Sequence, residues 1–433
     1  MLTTYIALGI FTVAFAFIVI EIYDKSLVAL SGALLMILFG ILSPEEAVRA
    51  IDFETILLLL AMMMLAHIAS ESGIFSWLNV KIASLTRGNP LAIFLFFSLI
   101  TGLLSTFLNN VTTVILIVPL TIELIKGMGK DPKPYVMAEI IFSNVGGALT
   151  LVGDPPNTII GGATGFNFLA FIRNLGVPIL ASSIFVLLVF MILNRKDLRS
   201  ISKDFVELFI ANVIIKKVKN KFLKTVLHKD LIIAVSLILI ATIVGFSLQD
   251  YTNMPSYIIA FTGATLLAIL TAKRVSVHDS FRSVEWSTLF FFAGLFIMVG
   301  GVEKTGFLDQ ISLWIGGSTD NLLYLSLIVL WVSGIISMVL DNIPFVTVMI
   351  PVIIGVQSQF VGVDTSILWW ALSLGACLGG NGTLIGASSN IVSVDLAKKE
   401  GLRISFLDYM KFALPLTLGI LVICSGYLYI RLT

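Results

Sequence analysis

Three strings recur in the same order, about 233 residues apart, along this chain of 433 residues. Ile51-Asp52-Phe53-Glu54-Thr55-Ile56 matches Val284-Glu285-Trp286-Ser287-Thr288-Leu289. Ser105 to Pro119 (STFLNNVTTVILIVP) matches Ser337 to Pro351 (SMVLDNIPFVTVMIP). Gly146 to Gly153 (GGALTLVG) matches Gly379 to Gly386 (GGNGTLIG), and Asn157 then matches Asn390. Shared order and spacing imply an internal duplication, so one folding solution has to serve both halves.

The apolar runs say what that solution is. Segments near 3–20, 25–42, 53–70, 176–194, 230–248, 254–272, 284–302 and 411–430 have spanning length, since about 20 apolar residues cross roughly 30 Å of hydrocarbon. Only 12% of residues are charged and 58% are hydrophobic, against about a quarter charged in soluble domains. Lipid must solvate much of such a surface. A net charge of +1 gives no signature of nucleic acid as a partner. Cys377 and Cys424 are the two cysteines and form no CxxC pattern, so neither a zinc site nor a disulfide framework is expected, and no cofactor is implied. Residues 3–20 lack a basic leader and a cleavage site and read as the first span.

Two tracts, 90–172 and 322–396, are interrupted. Asn109-Asn110 and Asp341-Asn342 split one run in each into a hairpin, 90–126 and 322–360. Gly-rich strings break the next run, 134–172 and 365–396. Irregular backbone cannot face lipid, because each unpaired N–H or C=O costs several kcal/mol there. These breaks must lie inside protein or line a wet cavity.

Five crossings per half would invert the second copy. Residues 195–229 hold ten Lys/Arg, which makes this connector cytoplasmic. Threading five crossings either side leaves Arg49, Arg173, Lys304 and Arg431 outside and the other 23 of 27 Lys/Arg inside. The expected molecule is an all-α polytopic protein of the plasma or inner membrane, with both termini outside. It has a first inverted repeat at 1–194, a basic amphipathic connector at 195–229 and a second repeat at 230–433. Paired re-entrant hairpins fit this count, but fully spanning hairpins give the same parity.

Inverted repeats with paired broken helices place their site near the midplane where the breaks meet. The candidate substrate and ion residues are Asn109, Asn110 and Thr112; Thr150, Gly153, Asp154 and Asn157; Asp341 and Asn342; and Asn381, Thr383 and Asn390. Helix N-termini there suit anions. Free carbonyls with Asn and Thr oxygens suit Na⁺, at Asn110/Thr150 and Asn342/Thr383. Asp154 and Asp341 are the ionisable groups, and their counterparts are Ala387 and Asn109. Carboxylates at membrane depth are costly, so both read as coupling groups for H⁺ or Na⁺. The bland alternative is that each caps the helix that follows. His67 reads as a polar contact within the bundle and Glu139 as an interfacial residue. Asp52, Glu54 and Glu285 read as solvated span ends, and Cys377 as a small packing residue.

Asn109-Asn110-Val111-Thr112-Thr113, Leu151-Val152-Gly153-Asp154-Pro155-Pro156-Asn157, Asp341-Asn342-Ile343-Pro344-Phe345 and Gly379-Gly380-Asn381-Gly382-Thr383 resemble the ion transporter superfamily. Within it they are most similar to the group of arsenite permeases (ArsB), NhaD-type antiporters and the P protein. The resemblance implies a secondary active transporter with a scaffold region, a transport region that moves as an elevator, and a homodimer formed through the scaffold. Its partners would be a small inorganic ion or anion, a coupling cation (Na⁺ or H⁺) and the lipid bilayer. The leading expectation is an arsenite-type anion or metalloid permease coupled to H⁺ or Na⁺, and a Na⁺/H⁺ antiporter is the first alternative. A citrate or dicarboxylate uptake system is the second. Dicarboxylate carriers of the superfamily place Ser-Asn-Thr at both hairpin tips, and this chain does not.

Overall fold

The computed structural model describes residues 2–20, 22–86, 89–195, 198, 229–360 and 362–433. All regular structure among them is helical. The first half runs α1 (Leu2–Ile20), α2 (Lys25–Leu38), α3 (Pro44–Ala50), α4 (Phe53–Glu71), α5 (Ile74–Leu85), α6 (Pro90–Ser105), α7 (Asn110–Gly127), α8 (Lys133–Gly147), α9 (Pro155–Thr164) and α10 (Phe168–Leu193). The second runs α11 (Lys229–Ser247), the single turn α12 (Gln249–Thr252), α13 (Ser256–Thr271), α14 (Val277–Arg282), α15 (Trp286–Glu303), α16 (Phe307–Gly316), α17 (Leu322–Val339), α18 (Asn342–Gln357), α19 (Ile367–Gly379), α20 (Ser388–Lys399) and α21 (Phe406–Leu432). Apart from α12, the two halves have the same ten elements in the same order. Among the described residues, α1, α4, α7, α10, α11, α15, α17 and α21 are long and apolar enough to span a bilayer.

The boundaries have local causes. Gly165 adopts φ 71° and ends α9. Asn167 then accepts a hydrogen bond from the Ala170 N–H at 2.7 Å and starts α10. Residues 168–172, expected at the end of the first interrupted span, therefore belong to the 26-residue α10. The sequence reading also passed over α3, α5, α14 and α16. In α3, Ser43 and Glu46 form a reciprocal capping box and Pro44 takes the first turn, which suffices to nucleate seven residues. The connector at 195–229 lies almost entirely outside the described residues.

The two repeats interlock. Helix α2 packs on α15 and α1, and by the same rule α13 packs on α4 and α11. Each of these side bundles thus mixes helices from both halves. Between them, α6–α9 and α17–α20 form a central body, closed by α10 against α21. The bundle of α1, α2 and α15 has its own apolar core around Ala29, Met36, Leu295 and Met298, separate from the main one.

Glycines set the closest approaches in the central body. A Cβ at Gly146 would run into the Gly102 backbone, joining α8 to α6, and Gly379 meets the Gly334 backbone in the same way, joining α19 to α17. Small residues at helix crossings are how membrane helices gain contact when lipid offers no hydrophobic drive.

Candidate functional site

A cavity of about 120 Å³ lies at the centre, and four helices begin at its wall. Asn109, Asn110 and Val111 come from the start of α7; Asp154 and Pro155 from α9; Asp341, Asn342 and Ile343 from α18; and Ala387, Ser388 and Ser389 from α20. Leu59, Met62, Met63 and Ala66 of α4 give an apolar side, and Glu285 and Thr288 of α15 stand at the edge. In an inverted repeat, fully spanning hairpins would put their turns on opposite membrane faces. Both turns line one cavity here, so both hairpins end inside.

The four N-termini direct partial positive charge at one volume, although α9, which opens on Pro155 and Pro156, contributes no free N–H from its first turn. Asn109 caps α7 by accepting from the Thr112 N–H at 2.7 Å. Asp341 caps α18 by accepting from the Ile343 N–H at 3.3 Å, and its Oδ2 accepts from Lys25 Nζ at 2.9 Å. Asp154 sits at the N-cap position of α9 but makes no side-chain cap bond. Its Oδ2 is buried and has no hydrogen-bond partner among the described residues, and the residue is 4% exposed. The capping account therefore holds for part of Asp341 and fails for Asp154.

Behind the wall, Asn144 of α8 is the hub of a buried polar network. Its amide nitrogen donates to Asn381 Oδ1 at 2.8 Å and to Asn390 Oδ1 at 2.9 Å. Its Oδ1 accepts from the Ser389 hydroxyl at 2.9 Å and from the Asn110 amide at 3.1 Å. The Ser105 hydroxyl lies 2.5 Å from the Asn110 amide. The hub therefore ties the first hairpin to the second broken helix.

The structure divides the sequence-derived candidates. Asn109, Asn110, Asp154, Asp341 and Asn342 line the cavity; Thr112, Thr150, Gly153, Asn157, Asn381, Thr383 and Asn390 do not. The last group holds the frame. Asn157 donates to the Ala148 and Thr150 carbonyls at 2.9 and 3.0 Å, closing its own loop. Asn390 does the same for its loop, with Gly380 and Thr383 at 2.8 and 2.9 Å. The Thr150 hydroxyl donates to the Thr106 carbonyl and accepts from the Gly153 N–H, and the Thr383 hydroxyl donates to the Met338 carbonyl. The Na⁺ pairings of Asn110 with Thr150 and of Asn342 with Thr383 thus join a wall residue to a framing one. Gly153 packs against the Gly147 and Ser105 carbonyls, with no room for a Cβ.

Other expectations change. Glu139 is fully buried rather than interfacial, and Thr121 donates to its Oε1 at 2.5 Å. It faces inward because α8 packs against α6, α7, α10 and α20. His67 Nε2 is buried with no hydrogen-bond partner among the described residues. Asp52 caps α4 by accepting from the Thr55 N–H at 3.1 Å. Glu285 is exposed but belongs to the cavity edge. Cys377 is buried and donates weakly to Asn157 Oδ1 at 3.6 Å. The reading of the breaks missed Asn144, Ser389 and Lys25. A lone Asn in the apolar run of α8 was the available signal for the hub.

A two-fold arrangement of hairpins and broken helices around one buried cavity defines a membrane transporter, and relatives of this chain are named transporters. The citrate transporter (CitMHS) family model matches residues 15–375, and the chain belongs to that family. It is 34% identical over 432 residues to the 46 kDa membrane protein of Mycobacterium leprae, covering 98% of each chain. It is 32% identical to the P protein of Mus musculus, covering 98% of this chain and 60% of that one, which agrees with the resemblance read from the motifs. The fold is similar to that of the Alcanivorax borkumensis YdaH transporter, whose crystal structure is described as having an unusual topology. The TM-score is 0.61, with 89% of this chain and 86% of that one covered. At 15% identity this likeness concerns the fold alone.

Proposed function

We propose that the chain is a secondary active transporter that carries a small anion or metalloid oxyacid of the arsenite type, coupled to H⁺ or Na⁺ bound at Asp154 and Asp341. One observation carries the reading. Asp154, whose buried Oδ2 has no hydrogen-bond partner among the described residues, lines a cavity where four helix N-termini converge. An ion that fills the open position on Asp154 removes a negative charge from a site whose helix ends favour anions. Cation and anion binding then support each other, as coupling requires.

Access supports alternation between two states. A vestibule lined by Tyr23, Asp24, Lys25, Ser287 and Phe291 shares Thr288, Asp341, Ile343 and Ser388 with the cavity. Its counterpart near Glu54, Thr55, Thr158 and Asn253 shares no lining residue with it. With the connector at 195–229 cytoplasmic and the termini outside, the open vestibule faces the cytoplasm.

Two other substrates have specific support. The pair of carboxylates in one cavity suits Na⁺/H⁺ antiport. The family description and the hydroxyls of Thr288, Ser388 and Ser389 suit citrate. Everted membrane vesicles holding a pH gradient reported by a dye separate the three. The proposal expects arsenite to collapse the gradient. A response to Na⁺ alone selects the antiporter, and a response to citrate alone selects uptake of that anion. No response to any of them rejects ion-coupled transport of these substrates.

A further inference from the structure

Lys25 is the first residue of α2 and reaches out of the side bundle of α1, α2 and α15 to the tip of the second hairpin. Its Nζ lies 2.9 Å from Asp341 Oδ2, with the two side chains 28% and 15% exposed. The pair stands where the vestibule meets the central cavity, since Asp341 lines both and Lys25 lines the vestibule.

The repeat supplies an independent observation. By element order, Ser256 at the start of α13 is the counterpart of Lys25, and Asn109 is the counterpart of Asp341. One repeat has both charges and the other has neither. A charge serving only the electrostatics of a helix end has no reason to appear together with its partner across two repeats. Two charges that answer each other do.

We propose that Lys25 is a built-in counter-ion for Asp341, which Na⁺ displaces when it binds at the hairpin tip. In the state with α2 tied to the tip, the ammonium neutralises Asp341. When Na⁺ takes the carboxylate, the tie between side bundle and hairpin is released, and the central body is free to move past α2. Lys25 acts through Asp341 and is a positioning residue. The inference rests on the reading of Asp341 as a coupling carboxylate. The other charged groups around the tip are Asp24 at the vestibule, Asp154 and Glu285 at the cavity, and Glu303, Lys304 and Asp309 at the far ends of α15 and α16. Helices α17 and α19, which also pack on α18, carry no Asp, Glu, Lys, Arg or His.

The test uses the purified full-length protein in detergent. Thermal stability is followed as NaCl replaces choline chloride at constant ionic strength, so that screening stays fixed and ligation by Na⁺ alone raises stability. Removing a competing ammonium from a partly exposed pair should lower the half-saturating Na⁺ by about five- to tenfold in Lys25→Met. Asp341→Asn should abolish the response, and the double variant should match Asp341→Asn. A response lost in Asp341→Asn but unmoved in Lys25→Met overturns the role of Lys25 alone. A response that persists in Asp341→Asn places Na⁺ elsewhere and removes the underlying reading of Asp341 as well. A wild-type protein indifferent to Na⁺ overturns the displacement, since nothing would then compete with Lys25.

Discussion

Replacing Asn144 by alanine should destabilise the protein by about 2–4 kcal/mol. The side chain is buried and joins four partners: Asn110, Asn381, Asn390 and Ser389. Hydrogen bonds between membrane helices are worth about 0.6 kcal/mol each on average, which puts four near 2.4 kcal/mol. Two partner groups fare worse than this average. The Asn381 carboxamide already has a nitrogen with no partner among the described residues and would lose the donor to its oxygen. The Asn110 amide would lose its link to the second repeat. A buried polar group left without a partner costs about 1–3 kcal/mol, which sets the upper end. The assay is unfolding of the purified protein by SDS in mixed micelles. The control is Ser143→Ala, whose hydroxyl donates only to the Ile140 carbonyl of its own helix at 2.7 Å and should cost under about 1 kcal/mol. Asn144→Ala should also lower flux, because the hub fixes the first hairpin tip to the second broken helix. An Asn144→Ala protein that unfolds at the wild-type midpoint would show that the network does not hold the breaks together.

Further outcomes follow from the same geometry. Gly146→Val and Gly379→Val put a branched side chain into the backbone of Gly102 and Gly334, which cannot yield; each should lose about 1–3 kcal/mol or more in the SDS assay. Gly9→Val, with open space around it, should stay within about 0.5 kcal/mol of wild type. The Lys304 ammonium, 2.6 Å from Glu46, holds the Glu46 carboxyl down to about 2 from its ordinary 4.5. A lowered value in the folded state contributes stability above about pH 4.5 that disappears as pH falls through about 2. Acid titration of the melting temperature should therefore show a loss in this window that is smaller in Lys304→Met, where the Ser43 N–H still bonds Glu46, and identical titrations would reject the pair as its source.

The fold was legible to the extent that it follows from hydropathy and from the repeat. Six of the eight expected spans and the four breaks stand out because lipid demands long apolar runs and because each half repeats its neighbour's interruptions, whereas those at 25–42 and 254–272 form the shorter helices α2 and α13. Short helices such as α3 and α16 escaped, since seven to ten residues held by a cap leave little periodic signal. The site was legible by chemistry but not by direction. Asp154 and Asn157 are three residues apart on one conspicuous string, yet one faces the cavity and the other closes its own loop. Thr150 and Thr383 have the composition of ion ligands and serve as ties to the hairpins. The bonds of Asn144 to the second repeat and the Lys25–Asp341 pair join residues 237 to 316 positions apart. Only the interlocking of the two repeats brings them together, and no local pattern records that.

The central claim is that the open carboxylate of Asp154 couples ion and substrate movement. Its most direct test is Asp154→Asn in proteoliposomes, with gradient-driven accumulation measured beside exchange of labelled for unlabelled substrate without a gradient. The substrate is the one identified in the vesicle assay. The account predicts that accumulation is lost while exchange continues, because the cavity and its helix ends remain and only the ion's binding position is gone. Accumulation by Asp154→Asn at the wild-type level would contradict it.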